Sequence, residues 1–548
     1  MWVTKRFFKA SAKRAQLGAR LEGDHHVRSE ESTAPTPRLS SGGRVNSGGV
    51  AHLKPIEAIP GPGGRSPHKL ERSHLVFAEL HCKYGSIVKF RKGSRWSVLL
   101  FDPDLIEEAS AHEGACPHRP SPPLYDVCVE RNGRQKGLSQ SQGLEWLRLR
   151  RPVQEFLLQP ANIHQYIPAL SQVADDLVSE LGDNLQHSAS FDLEDLALRY
   201  AIESSAVYCI NARLGFLQSS PSYRNSNPDA IAGREDQDQG SHNPTTHPLG
   251  FSAEERAQLL HMVRVFMSSI AEGFYRFPIY RWFRTKLYRE FEEASESISN
   301  LCQQRVRHAA KSMQRNGLSG DSPNLLNFLL SDGRLELNKS AALLGGFFST
   351  ATDNISNSLG LVFWHLARNQ DKQDRLREEI ARCVTSSGQV SPEEMSHMPY
   401  LKACVKESFR VAFPFPVGSV RVMPRDIALA GYHIPQGTTV YFGHNALCHS
   451  AEHFEAPEEY RPERWLKQTG SSPDPKIRRR QAICVQPFGL GPRNCVGRRL
   501  AEQQMFLAVI KVLQRFKVKL GNPQEELDIV HRISARSSRG LDIQFEAV

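Results

Sequence analysis

Close to the C-terminal end of this 548-residue chain runs Pro487-Phe488-Gly489-Leu490-Gly491-Pro492-Arg493-Asn494-Cys495-Val496-Gly497-Arg498-Arg499, a cysteine set among glycines and beside arginines. Gly489, Gly491 and Gly497 permit backbone turns and close approaches that a side chain would block. Arg493, Arg498 and Arg499 favour the thiolate form of Cys495. The apolar series that follows (Leu500, Met505, Leu507, Ala508, Ile510, Leu513, Phe516) has helical spacing, so the loop feeds a helix whose N-terminus also favours an anionic sulfur. The run is no phosphate loop, because no G-x-x-x-x-G-K-[ST] occurs, and no dinucleotide loop, because the third glycine is missing at its offset. Two readings remain on these residues alone: a glycine-rich turn with an incidental cysteine, or a thiolate presented to a metal.

Position for position, Phe488, Gly491, Arg493, Cys495 and Gly497 resemble the F-x-x-G-x-R-x-C-x-G loop of cytochromes P450. The resemblance implies a haem cofactor with Cys495 as its axial iron ligand, held in part by Phe488, Gly491, Arg493 and Gly497. It also implies a mainly α fold with small β-sheets, the haem buried between a long central helix and the helix after the cysteine loop.

Trp146 and Arg150 lie four apart, hence on one helical face, where they could form a surface cation–π pair. They also resemble the W-x-x-x-R of that family, whose side chains reach a haem propionate, and Arg421, in an extended run after Pro414 and Pro416, resembles its strand arginine with the same role. Glu407 and Arg410 match its E-x-x-R, and Arg461-Pro462-Glu463-Arg464-Trp465 its P-E-R-[FW]. The resemblance makes Glu407, Arg410 and Arg464 a buried structural triad.

The run Leu337 to Ala367 is apolar on more than one face, as a helix buried through a domain would be. Inside it, Ala351-Thr352-Asp353-Asn354-Ile355-Ser356 stands where the family shows A/G-G-x-D/E-T-T. Asp353 matches the acid that manages protons, and Asn354 replaces the first threonine. An asparagine can donate and accept hydrogen bonds, yet it supplies no hydroxyl.

Around this helix, the residues alone suggest a helix from about Leu70 to Leu80, strands at 86–90 and 96–101, a helix from Pro103, another over Tyr400 to Arg410 and more strand over Ala428 to Phe442. A polar, Ser/Asn/Asp/Gly-rich segment at 218–250 reads as a disordered insertion. In Phe274 to Phe283, six aromatics and two arginines surround a proline. This is either an interfacial segment touching a membrane or a buried helix connection.

The first twenty residues hold Lys5, Arg6, Lys9, Lys13, Arg14 and Arg20 and no acid, the composition of a mitochondrial transit peptide. Residues 1–50 are therefore expected to be presequence and linker, and 51–548 the catalytic domain. A formal net charge of +10 without aromatic-interleaved basic repeats argues against a nucleic-acid partner. The ten cysteines form no C-x-x-C pair and read as reduced thiols.

With the presequence, the resemblance is to mitochondrial members of the family, on the matrix face of the inner membrane. These take electrons from an adrenodoxin-type ferredoxin served by an NADPH-dependent reductase. Lys402, Lys406, Arg498 and Arg499 would form the basic docking patch. The expected activity is oxygen-dependent hydroxylation of a lipophilic small molecule, a sterol or steroid and in particular an ecdysteroid at its 2-position. A xenobiotic-oxidising member is the near alternative. Asn354 leaves open an oxygen-independent isomerase or dehydratase and a non-catalytic haem binder.

Overall fold

The structure is a computed structural model that describes residues 53–63, 70–92, 95–187, 192–217, 247–248, 251–316, 324–385, 390–466 and 474–548. The segment expected to be presequence and linker, residues 1–50, lies outside them, as does the 218–250 segment except for His247–Pro248, a short strand that pairs in parallel with Ala212–Arg213.

The longest helix among the described residues, Leu337–Arg368, runs through the middle of the molecule. It packs against helices Leu193–Ile210, Lys286–Asn316, Pro399–Val411 and Arg498–Arg515. That burial on several sides explains its apolar composition, and three of its hydroxyls turn back onto their own helix: Ser349 Oγ donates to Gly345 O, Thr352 Oγ1 to Phe348 O and Ser356 Oγ to Asp353 O. Around it the helical residues form one large core, including Phe156, Tyr200, Phe291, Phe348 and Phe363.

Sequence-local chemistry sets many helix ends. Asp102 accepts from the N–H groups of Asp104 and Leu105 ahead of Pro103–Ala111. Ser252 and Glu255 close a capping box on Ala253–Tyr275, and Ser391 and Glu394 another on Pro392–Ser396.

A four-stranded sheet sits to one side, in the order Ile87–Lys92, Arg95–Leu100, Thr439–Phe442, Val420–Val422. Its second and third strands are parallel, with Ser97 opposite Thr439, and the outer pairings are antiparallel. The helix expected from about Leu70 begins at Ser73 after a short 3-10 turn at Leu70–Arg72, and the strand expected over 428–442 divides into three. Its breaks fall at Ala430 and Gly431 and at Gly437, which have φ of 50°, 78° and 81°. Only Thr439–Phe442 joins the large sheet, while Ile427–Leu429 and Tyr432–Ile434 pair as a hairpin. Val420–Val422 at the sheet edge brings Arg421 to the cysteine loop from 69 residues upstream of Leu490, whose carbonyl it binds at 2.9 Å.

Candidate functional site

The cysteine loop is built from its own backbone. Gly489 N–H donates to Gln486 O at 3.0 Å, Asn494 N–H to Gly491 O at 3.1 Å and Cys495 N–H to Phe488 O at 2.8 Å. Gly489 and Gly491 adopt φ near +70°, where side chains are disfavoured. At Gly491 there is a second reason: a Cβ would sit 1.8 Å from Oε1 of Glu113. Phe488 braces the loop edge-on against Phe409, with ring centroids 5.6 Å apart.

Helix Arg498–Arg515 starts two residues after Val496, with Gly497 as its N-cap, and Gly497 N–H donates to the Cys495 sulfur. Protein surrounds the thiol densely, yet its surface is accessible, so it opens onto interior space. Burial pushes the thiol up; the Gly497 N–H and the charges of Arg150 and Arg119 act in the opposite direction. These two arginines, and not the neighbouring Arg498 and Arg499, are the cations that face the sulfur. Arg498 pairs with Glu502 at 2.8 Å and Arg499 donates to Leu158 O at 2.6 Å, both in exposed positions.

Four guanidinium groups converge beside the loop. Arg150 donates to Asn494 O and Asn494 Oδ1, both at 2.7 Å, so it clamps the loop itself. Arg493 donates to Pro117 O, Ser141 O and Gln142 Oε1, and its guanidinium lies 4.5 Å from the ring centre of the buried Trp146. Arg421 pairs with Glu113 and donates to Val420 O and Leu490 O. Arg119 is accessible although protein encloses it, like Cys495, and its charge is felt at that sulfur. Burial and the repulsion of Arg119, Arg421 and Arg150 lower Arg493 to about 9. Against these four cations stands one contacting carboxylate, Glu113, which is buried, held above the usual carboxylate range by desolvation, and leaves Oε1 without a partner. Glu113, Arg119, Gln142 and Asn494 were not singled out from the sequence; the only local signal is that Asn494 adjoins Cys495.

Behind the loop, Glu407 and Arg410 are fully buried and paired at 2.8 Å. Arg464 Nε reaches the same carboxylate at 3.0 Å, Trp465 Nε1 at 2.8 Å and Arg461 N–H at 3.0 Å. The remaining Arg410 donors go to the carbonyls of Cys448, Pro457 and Glu459. Of the expected docking cations, Lys402 is exposed and donates to Ser396 O, whereas Lys406 is half-buried with its ammonium 3.8 Å from the Trp465 ring centre. Burial and Arg498 lower its pKa, so Lys406 is not a free surface charge.

On the central helix, Asn354 Nδ2 donates to Thr350 O at 2.8 Å. This is the bond a threonine hydroxyl at that position would make to the preceding turn, and it leaves the amide oxygen and one N–H for other partners. Asp353 Oδ2 accepts from Ser534 Oγ at 2.7 Å, and Asn357 Nδ2 donates to the same Ser534 oxygen at 2.8 Å. Desolvation raises Asp353 above the usual carboxylate range, against the Ser534 and Asn357 hydrogen bonds and the charge of Arg536. At the molecule's edge, Phe277, Trp282 and Phe283 are 75%, 63% and 69% exposed, while Tyr280 is buried with its hydroxyl on Gly273 O. The aromatic run is therefore an exposed apolar patch and not a buried connection.

The model of the family described as "Cytochrome P450" matches residues 66–543. Similar proteins include "Probable cytochrome P450 49a1" of Drosophila melanogaster, 28% identical over 534 residues, covering 92% of this chain and 84% of the relative. "Probable cytochrome P450 12b2, mitochondrial" of the same organism is 27% identical over 478 residues, covering 84% and 81%. The mitochondrial "1,25-dihydroxyvitamin D(3) 24-hydroxylase" of Mus musculus is 25% identical over 478 residues, covering 87% and 84%. The chain belongs to the cytochrome P450 family, and with it to the haem-thiolate monooxygenases.

The residues present fit that cofactor. A thiol opens onto interior space from a loop whose N–H supports a thiolate, and the adjoining arginine cluster is under-compensated by protein carboxylates, as a site for a dianionic group requires. Among the described residues no helix is long and apolar enough to cross a membrane.

Proposed function

We propose that this monooxygenase hydroxylates a sterol or steroid, an ecdysteroid at its 2-position being the specific candidate, with dioxygen and electrons passed singly from an adrenodoxin-type ferredoxin. The observation that carries the oxygenase part is the pairing of an accessible interior thiol with a guanidinium cluster short of anions. Sterol chemistry is supported by similarity to a vitamin D 24-hydroxylase and mitochondrial placement by two relatives so named; the basic N-terminal segment agrees with the mitochondrial placement. On this reading residues 1–50 are transit peptide and linker, 51–548 form the catalytic unit, and the chain works at the matrix face of the inner membrane. The exposed ring cluster at Phe277, Trp282 and Phe283, flanked by Arg276 and Arg281, would rest in the lipid interface.

In the mechanism Cys495 would hold the haem iron through its sulfur. Arg119, Arg421 and Arg493 would hold the cofactor carboxylates, with Trp146 packed under Arg493 and Arg150 fixing the loop through Asn494. When bound, haem supplies reduction of dioxygen and insertion of one oxygen atom into a C–H bond. The protein's part on the other face is proton management. Asn354 keeps an acceptor and a donor beyond its bond to Thr350, enough to hold a water, and Asp353 with Ser534 forms an acid–hydroxyl pair beside it. This residual capacity of Asn354 favours the oxygenase over an oxygen-independent isomerase or a non-catalytic binder.

Lys402, Arg498 and Arg499 remain candidates for contact with the ferredoxin. Reconstitution with ferredoxin, its reductase, NADPH and dioxygen against a panel of sterols and ecdysteroids, with product identification, tests the reading. Hydroxylated steroid dependent on all four components is expected. Oxidation of unrelated lipophiles alone would place the chain among xenobiotic-metabolising members, and turnover without dioxygen would make it an isomerase or dehydratase.

A further inference from the structure

Helix Pro103–Ala111 ends in a tight turn, in which His112 N–H donates to Ala109 O at 3.1 Å and Glu113 N–H to Ser110 O at 3.2 Å. Gly114 follows with φ of 73°, in the region that favours glycine, and redirects the chain. Further along, His118 O accepts from Val422 N–H at 3.0 Å. This bridge ties the loop to the edge strand Val420–Val422, so that Glu113, only 3% exposed, lies against Arg421 on that strand.

Arg421 is fixed at three points. Its Nε donates to Glu113 Oε2, its Nη1 to Val420 O at 3.0 Å and its Nη2 to Leu490 O at 2.9 Å. Of the five N–H groups of a guanidinium, two are left for an incoming acceptor. Glu113 itself is served on one side only. Its Oε1 is buried without a partner and packs against Gly491, where any side chain would collide with it. A carboxylate that only braces the fold has both oxygens met, as Glu407 does. What favours the charge on Glu113 is the surrounding field: Arg421 and Arg493 act against the desolvation that opposes it. Arg119, Arg150, Arg421 and Arg493 set four cations against the two carboxylates of the cofactor, a surplus of two, and Glu113 reduces that surplus to one.

We propose that Glu113 lowers the reduction potential of the bound haem, acting through Arg421 as a positioning residue that fixes this guanidinium and sets a standing negative charge beside the cofactor carboxylates. The inference rests on the haem assignment at Cys495 and is independent of the steroid reading. A negative charge at the rim of a water-poor site opposes the arrival of an electron, and the low effective dielectric there lets it act over several ångströms. Glu113→Gln keeps the size of the side chain and an acceptor for Arg421 Nε while removing the charge. One-electron reduction should then become easier.

The test is a spectroelectrochemical titration of the haem-loaded full chain at about pH 8, above the carboxylate range, with saturating imidazole to hold parent and variants in one spin state. Glu113→Gln should raise the midpoint by about a tenfold change in the ratio of reduced to oxidised haem, about 59 mV for one electron. Glu113→Asp keeps the charge and gives up the geometry, and its midpoint should stay close to that of the parent. An unchanged or lower midpoint in Glu113→Gln overturns the proposal. Equal shifts in the Gln and Asp variants also overturn it, because a merely structural brace suffers from shortening as much as from neutralisation. If Glu113→Gln holds no haem, Glu113→Asn and Glu113→Asp, alike in size and different in charge, carry the same comparison, and the neutral variant must have the higher midpoint. A parent chain without the thiolate-type carbon-monoxide spectrum would instead overturn the haem assignment itself.

Discussion

Two deeply set carboxylates, Glu407 behind the cysteine loop and Asp353 on the central helix, receive opposite treatment. Glu407 meets two guanidinium groups, an indole N–H and a backbone N–H. Asp353 meets one hydroxyl and one amide, its nearest influential cation, Arg536, is itself paired with Glu194, and desolvation holds its acid form in favour. The first arrangement suits a charge held in place as scaffold; the second suits, on the reading proposed above, a carboxyl that can exchange a proton. The brace behind the loop is saturated with donors, whereas the arginine cluster beside the loop and Asp353 on the helix are left short of partners.

The contrast breaks most visibly at the thiol. Cys495→Ala should abolish the thiolate-type spectrum of the reduced carbon-monoxide complex, and with it turnover. An unchanged spectrum would mean that another of the ten cysteines is the ligand. The next largest effect is expected at the scaffold. Glu407→Ala leaves Arg410, which is fully buried, without its counter-charge, and should cost about 3–5 kcal/mol in chemical denaturation. A loss typical of an exposed pair, below about 1 kcal/mol, would show that the network is not the brace its geometry suggests.

How far each side could be read from sequence follows from the range of its contacts. Cys495, Phe488, Gly491 and Gly497 act within one loop, and Glu407 and Arg410 within one helical turn, so the resemblance of a short run to a family motif was enough to single them out. Glu113 and Arg421 are 308 positions apart, and Arg150 and Asn494 are 344 apart. Nothing local in Glu113 or Arg119 marks them, because their role exists only once the sheet edge and the loop meet. Arg421 and Arg150 were legible as cations near the cofactor, but not as groups already engaged by Glu113 and Asn494. Lys406 was misread for a related reason: helical spacing put it on the same face as Lys402, and only the packing of Trp465 showed that its ammonium is covered.

On the helix side, the comparison sharpens at Asn354. Asn354→Leu removes both the bond to Thr350 O and the residual donor and acceptor, and should lower product formed per NADPH consumed by at least about tenfold, with the balance appearing as reduced oxygen species. Asn354→Thr restores a hydroxyl that can make the same backbone bond and should retain coupling. If Leu is tolerated, proton management does not pass through this side chain.

The smallest effect is the most discriminating, because it concerns Asp353 itself. Its folded pKa is raised, chiefly by desolvation, so the folded state binds a proton more tightly than the unfolded chain does. The stabilisation from that proton is fully present below the ordinary carboxylate range and is lost as pH rises through the folded value. Asp353→Asn resembles the protonated form and cannot ionise. Its denaturation midpoint should therefore match the parent near pH 4 and exceed it slightly at pH 7. For Glu407→Gln, which breaks ion pairs, the sign at pH 7 should be the reverse. A destabilised Asp353→Asn at pH 7 would mean that Ser534, Asn357 and Arg536 compensate a standing charge. The two carboxylates would then be scaffold alike, and proton management would have to rest on other residues than Asp353.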